Sequence, residues 1–191
     1  MPQGQLFYVI GPSGSGKDTL MQYARSKLSE REKIIFAHRY ITRKPELVGE
    51  NHIYLSEAEF AAKERQDFFA MQWDSHELRY GIGKEINFWL AQGFNVVING
   101  SREYLPIVLE KEPQIRVILV RTANDVLRER LKNRQRETAD EIEKRLERAT
   151  LFNRINHPNV TLLDNNGSLE ESGAAFIALL MQDKNSHDLV S

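Results

Sequence analysis

The stretch GPSGSGKDT, residues 11–19, carries the chain's most readable chemistry. Gly11, Gly16 and Lys17 meet the spacing G-x-x-x-x-G-K. In such a loop the backbone N–H groups, here those of 13–18, converge on a phosphate at a helix N-terminus. The lysine reaches the β- and γ-phosphates. Gly11, Pro12, Ser13, Gly14, Ser15, Gly16, Lys17, Asp18 and Thr19 are therefore the expected nucleotide-binding residues, with Lys17 and Asp18 catalytic. The residue after the lysine is normally Ser or Thr, whose hydroxyl ligates Mg²⁺. Here it is Asp18. Mg²⁺ accepts carboxylate oxygens readily, so Asp18 is the expected metal ligand, directly or through water. The competing reading leaves Asp18 as an acidic residue favoured by the helix dipole, with Thr19 supplying the hydroxyl.

A loop of this kind works only between a strand and a helix. LFYVI (6–10) is a short apolar run that suits a buried strand, and Leu20, Met21, Ala24 and Leu28 follow at helical spacing. Further strand-like runs are KIIFA (33–37), FNVVI (94–98), IRVILV (115–120) and, more weakly, VTLL (160–163). Helical patterns fall at 84–92, 103–111, 123–132, 139–153 and 169–181. Alternating strands and helices predict an α/β fold, a parallel sheet flanked by helices on both faces. Ligands then bind at the carboxyl ends of the strands.

Two segments interrupt the alternation. Residues 39–83 are polar, contain Arg and aromatic residues and lack a long helical pattern; they read as an insertion. NRQRETAD (133–140) is a charged stretch between two helices. The expected organisation is one domain, with core segments 1–38, 84–132 and 141–183, an insertion 39–83, a lid 133–140 and a tail 184–191. Trp73, Phe88 and Trp89 read as packing residues, and the Glu/Arg-rich run 128–148 as a solvated helix face.

The chain has 191 residues, net charge −1 and no cysteine. Without a basic excess a nucleic-acid partner is not expected. Without thiols there is no disulfide framework, which fits a reducing compartment. No run approaches the roughly 20 apolar residues that span a bilayer, and MPQGQLFYVIG has no basic n-region. The expected location is cytoplasmic, with no membrane partner; nothing in composition sets an oligomeric state.

These motifs resemble the guanylate kinases and nucleoside-monophosphate kinases. GPSGSGK is similar to their phosphate loop and ITRKPELVGEN (41–51) to their T-R-x-P-R-x-G-E segment. SEAEF (56–60), DFF (67–69), RYGIG (79–83) and LRERLKNR (127–134) follow in the same order. The resemblance implies a P-loop kinase fold with 39–83 as acceptor-binding insertion and 133–140 as lid. The chain departs from it where guanine would be held. The second phosphate-gripping Arg is replaced by Glu46, the phosphate-binding Tyr by His52, the guanine-reading Glu by Ala70 and the guanine-reading Asp by Ser101. Losing the partners of a base edge costs selectivity heavily.

AHRYITR (37–43), ENHIYLSEAEF (50–60), YGIGKEINFWLAQGF (80–94) and NGSREYLP (99–106), with the unusual GKD, are similar instead to the ribose 1,5-bisphosphate phosphokinases of phosphonate degradation. That likeness implies ATP and ribose 1,5-bisphosphate as small-molecule substrates, with Mg²⁺. It implies that Arg39 and Arg43 grip acceptor phosphates, and that Arg102 meets a second one. His52, Tyr80, Asn99 and Ser101 become hydroxyl or phosphate partners. Arg134 and Arg136 become catalytic lid residues, with Arg145 behind them and Asn165 beside the nucleotide.

In P-loop enzymes a strand-end Asp usually shares Mg²⁺. FNVVI ends in Asn99, so the loop carboxylate Asp18 is expected to compensate for a missing one there. Asp18→Ser then loses most Mg²⁺-dependent activity, and adding Asn99→Asp restores part of it. Steady-state rates across a Mg²⁺ titration decide; a double variant no better than the single sinks the compensation.

Overall fold

Leu6–Ile10 (β1) is buried at every position, so it reads as an uninterrupted apolar run rather than an alternating one. In the computed structural model, which describes residues 3–12, 14–44, 51–134, 138–152 and 155–182, β1 lies in a five-stranded sheet. The order is β2-β7-β1-β8-β9, with β2 Ile34–Phe36, β7 Asn95–Asn99, β8 Arg116–Arg121 and β9 Val160–Asp164. β2 and β7 pair in parallel, as do β8 and β9. The chain divides into two compact units, Met1–Phe7 with Lys33–Ile115 and Tyr8–Glu32 with Arg116–Ser191.

In the second unit β8 is buried from Val117 to Val120 and carries β9 in register, Val117 opposite Val160 and Arg121 opposite Asp164. Arg121 and Asp164 close that ladder with two hydrogen bonds of 2.8 and 2.9 Å. α1 (Lys17–Lys27) and α7 (Leu169–Met181) pack together, with the ring of Tyr23 against Gly173. α5 (Asn124–Arg134) and α6 (Ala139–Phe152) form an antiparallel pair around Leu127, Leu131, Ile142, Leu146 and Ala149. On its exposed side Arg128 holds Glu143 at 3.0 Å, as the solvated-face reading of this run expects.

In the first unit α3 (Glu85–Ala91) packs on β7. α4 (Leu105–Lys111) follows β7 after a short turn, so Asn99-Gly100 leads from strand to helix. The rest of the unit is a four-stranded sheet in the order β4-β3-β6-β5, comprising β3 Arg39–Ile41, β4 His52–Tyr54, β5 Phe69–Ser75 and β6 Leu78–Gly83. The sequence pattern marked none of these strands. β3 and β4 are three residues long, too short for a periodicity, and a bulge between Phe69 and Met71 breaks the alternation of β5. The helix α2 (Glu57–Arg65), also unmarked, covers one face of this sheet through Leu55, Phe60 and Phe69. Phe60 and Phe69 stack with centroids 4.5 Å apart. Phe88, expected to pack in the core or a subdomain, is instead 65% exposed on the outer side of α3.

Helix starts are set by reciprocal caps. Ser56 with Glu59 opens α2, Thr138 with Glu141 precedes α6, and Ser168 with Glu171 opens α7. Each hydroxyl meets the backbone N–H three residues on, and each glutamate returns to the cap N–H. The bonds from the cap hold all three glutamates below their ordinary carboxyl value of 4.5. A folded-state value below the unfolded one adds stability above that pH and loses it as pH falls through the folded value. Thermal melts from about pH 6 down to about pH 3 should therefore show a falling acid limb, and Glu171→Gln should flatten it. Ser168→Ala should cost about 1 kcal/mol near neutral pH.

Candidate active site

The phosphate loop begins where β1 ends and closes into α1. Gly14 and Gly16 sit at φ +88° and +83°, the left-handed region that glycine enters without strain. The Gly16 carbonyl accepts the Leu20 N–H at 2.9 Å, so α1 starts inside the loop. Among the described residues, two side chains hold the loop at the Ser15 carbonyl oxygen. It accepts from Asn165 Nδ2 at 2.7 Å and from Thr122 Oγ1 at 3.1 Å. Thr122 follows β8 and Asn165 follows β9, and both are 5% exposed. Two strand ends thus hold one carbonyl of the loop.

Lys17 and Asp18 begin α1. Their charged ends lie 3.5 Å apart, with the Lys17 side chain 14% and the Asp18 side chain 78% exposed. Among the described residues no group of three or more His, Cys, Asp or Glu could hold a metal by itself. One exposed carboxylate beside a phosphate loop is the donor set that Mg²⁺ uses with a nucleotide, since this ion keeps waters and takes one or two carboxylates plus phosphate oxygens. Asp18 fits that set.

Beside the loop lies a cavity of about 330 Å³. Its walls include Gly14, Gly16 and Thr19 from the loop side, Arg130 and Asn133 from α5, and Asn165, Gly167 and Leu169 from the segment after β9. Arg130 Nη1 donates to Thr122 Oγ1 at 3.5 Å, which joins the cavity wall to the loop clamp. The sequence reading included Asn165 but missed Thr122, Arg130 and Asn133. Arg130 and Asn133 stand within the quoted LRERLKNR stretch, so helical spacing from Leu127 would have set them apart from the exposed Arg128.

The first unit carries the remaining candidates. Arg39 and Arg43 are half-buried at β3 and just after it. The Arg39 guanidinium lies over the Tyr80 ring, 5.8 Å from its centroid. His52, opposite Arg39 across the β3–β4 ladder, is 8% exposed, and its Nε2–H donates to the Arg43 carbonyl at 3.0 Å. A carbonyl only accepts, so that bond assigns the Nε2 proton. His52 therefore supports the Arg43 backbone. Asn99 ends β7 at 8% exposure, and Ser101 and Arg102 lie half-buried in the turn before α4. Ala70 lies on β5. Arg145 is half-buried on α6, where its charge helps to lower the Glu141 carboxyl. Ser13, Glu46, Arg136 and the side chain of Arg134 lie outside the described residues.

A glycine-rich loop between strand and helix, clamped by neighbouring strand ends and followed by a cavity, defines a P-loop phosphotransferase. The guanylate kinase family matches residues 3–182. The ribose 1,5-bisphosphate phosphokinase PhnN of Thiobacillus denitrificans is 52% identical over 182 residues, 94% of either chain. Those of Psychromonas ingrahamii and Burkholderia pseudomallei are 48% and 49% identical, over 93% and 94% of this chain and 90% and 97% of theirs. The guanylate kinase of Anaplasma phagocytophilum shares the fold, with TM-score 0.67 at 15% identity over 94% of this chain and 86% of that one. The chain belongs to the guanylate kinase family, grouped there with the ribose 1,5-bisphosphate phosphokinases.

The clamp yields a test. Thr122→Val and Asn165→Leu should each weaken ATP binding about three- to tenfold, because each removes one donor to a buried carbonyl. The double variant should lose more than the sum, since the carbonyl is then left unsatisfied. Calorimetric titration with a non-hydrolysed ATP analogue reads all three; unchanged affinity in both singles would show that the clamp does not shape the loop.

Proposed function

We propose that this chain transfers the γ-phosphoryl group of ATP to the 1-phosphate of ribose 1,5-bisphosphate, giving 5-phosphoribosyl 1-diphosphate and ADP. The observation that carries the reading is the 52% identity, along 94% of both chains, to a ribose 1,5-bisphosphate phosphokinase. The site's residues agree in kind. The donor side keeps the whole loop GPSGSGKDT. The acceptor side offers Arg39, Arg43 and Arg102, with Ala70 and Ser101 where a guanine reader carries carboxylates.

The chemistry asks little of the protein in acid–base terms. The nucleophile is an oxygen of the 1-phosphate, whose second ionisation near pH 6 leaves it largely dianionic at neutral pH. It forms a bond to the γ-phosphorus as the bond to the β-bridging oxygen breaks, and ADP leaves with that oxygen. No proton need be removed first. What remains is to hold two anions in line and to offset the charge of the transfer. Loop N–H groups and Lys17 hold the donor. Arg39, Arg43 and Arg102 hold the acceptor through charge-assisted bonds, which guanidinium groups make in pairs. Asp18 would hold Mg²⁺ together with the donor phosphates, and the ion offsets the added negative charge of the triphosphate. The cavity of Arg130, Asn133 and Asn165 takes the rest of the nucleotide. Arg134 and Arg136 supply lid cations, and Arg145 supports them.

A ³¹P NMR time course with ATP, Mg²⁺ and ribose 1,5-bisphosphate should show the paired diphosphate signals of the product. Parallel tubes with GMP and AMP should stay unchanged. Monophosphate turnover with an inert sugar would assign the chain to the nucleotide kinases instead. ATP binding without turnover in any tube would leave a non-catalytic nucleotide-binding module.

A further inference from the structure

The four-stranded sheet of the first unit has two unlike faces. One is closed by α2, where Phe60, Phe69 and Tyr40 pack and Arg79 is held by Glu64 at 2.8 Å. The other face carries a row of different chemistry. Ile41 stands opposite Tyr80, and Tyr80 opposite Trp73, across the β3–β6 and β6–β5 ladders. Residues paired in this way share a face, and Arg39, two positions before Ile41, shares it too.

The rings on that face form a series. Trp73 and Tyr80 are parallel within 1°, with centroids 5.5 Å apart. Trp73 and Tyr104 also lie 5.5 Å apart, at 25°. The Arg39 guanidinium stands 5.8 Å from the Tyr80 centroid. The run is therefore Arg39, Tyr80, Trp73, Tyr104. Tyr104 is 8% exposed and ends the turn that passes from Asn99 through Ser101 and Arg102 into α4. That turn closes with the Leu105 N–H on the Arg102 carbonyl at 3.1 Å. Arg39 on β3 thus lies against one end of the aromatic stack, and the residue at the other end, Tyr104, belongs to the same turn as Arg102.

We propose that Trp73 is a positioning residue for the acceptor: through Tyr80 and Tyr104 it sets the Arg39 guanidinium and the Arg102 turn at a defined spacing, and so favours a sugar that carries two phosphates. This rests on the reading of the acceptor as ribose 1,5-bisphosphate. Trp73 acts on the substrate only through its neighbours. The physical gain is preorganisation. An arginine loses rotamer freedom when it grips a phosphate, and a guanidinium already held against a ring loses less at that moment. A planar stack also resists tilting in a way that a flexible aliphatic contact does not.

The test is steady-state kinetics on the full chain, varying ribose 1,5-bisphosphate and ATP separately. Trp73→Leu keeps apolar bulk and removes the ring. It should raise KM for the bisphosphate about three- to tenfold, the range set by loss of aromatic pairs. KM for ATP and kcat should stay within about twofold of the parent. Trp73→Phe, which restores a ring, should recover most of the loss. Ribose 5-phosphate, which engages one grip, should change less as an inhibitor than the bisphosphate changes in KM. Trp89→Phe, on α3 and outside the stack, is the control and should alter none of these. An unchanged bisphosphate KM in folded Trp73→Leu overturns the proposal, as does an equal loss in kcat and both KM values, or no rescue by Phe. If Trp73→Leu does not fold, Tyr104→Leu at the other end of the stack carries the same expectation. A parent chain that never converts the bisphosphate removes the functional reading and this inference with it, an outcome visible before any variant is made.

Discussion

The phosphate loop depends on one carbonyl oxygen, that of Ser15, which takes hydrogen bonds from two side chains. A phosphate loop must aim its N–H groups at a ligand, so its carbonyls have to be satisfied elsewhere. At Ser15 that satisfaction comes from Thr122 and Asn165, which lie at the ends of two different strands. Since β8 and β9 are joined by a five-pair register from Val117–Val160 to Arg121–Asp164, their ends cannot drift independently. The rigidity of the ladder is thereby passed to the loop through two hydrogen bonds. Both donors are nearly inaccessible to water, which makes an unsatisfied Ser15 carbonyl costly and the clamp correspondingly firm.

The first unit is organised on another principle. Its arginines and aromatic rings are carried on a small sheet whose opposite face is sealed by α2. Period-two alternation lets one short strand present different side chains to the two faces of such a sheet. Tyr40, between Arg39 and Ile41, shows this. It turns to Phe68 and Phe69 on the helix side, while burial and the neighbouring Glu85 push its phenol up. His52 adds a support from the edge strand by holding the Arg43 carbonyl.

What could be read from the residues alone follows from this contrast. The loop was legible because its requirements fall on nine consecutive positions. β1, β7 and β8 were legible because central parallel strands are buried on both faces and spell uninterrupted apolar runs. β3 to β6 were not, since two of them are three residues long and a third is bulged. Thr122 and Arg130 were missed for a different reason. Each meets a need created by a distant part of the chain, and neither belongs to a contiguous motif. The stretches SEAE, TADE and SLEE at 56–59, 138–141 and 168–171 did hold a signal, for each starts a helix through a reciprocal cap. Reading SEAE that way would have revealed α2 inside the segment taken as lacking a long helix. Phe88 was misplaced because α3 is only seven residues long and buries Ile86 and Leu90, which leaves Phe88 on the outward side.

The carboxylate at position 18, where such loops usually carry a hydroxyl, sets a negative charge directly beside Lys17. The geometry limits the interaction. Asp18 is 78% exposed and 3.5 Å from the Lys17 ammonium, a separation and an exposure at which water screens most of the attraction. The Lys17–Asp18 pair itself is therefore a weak one. The same exposure means that no buried carboxylate has to be compensated here. A carboxylate placed deeper in the loop would have been held by the N–H groups that the phosphates need. At the first turn of α1 a carboxylate is favoured by the helix dipole, so the residue at this position suits the helix start that the loop runs into.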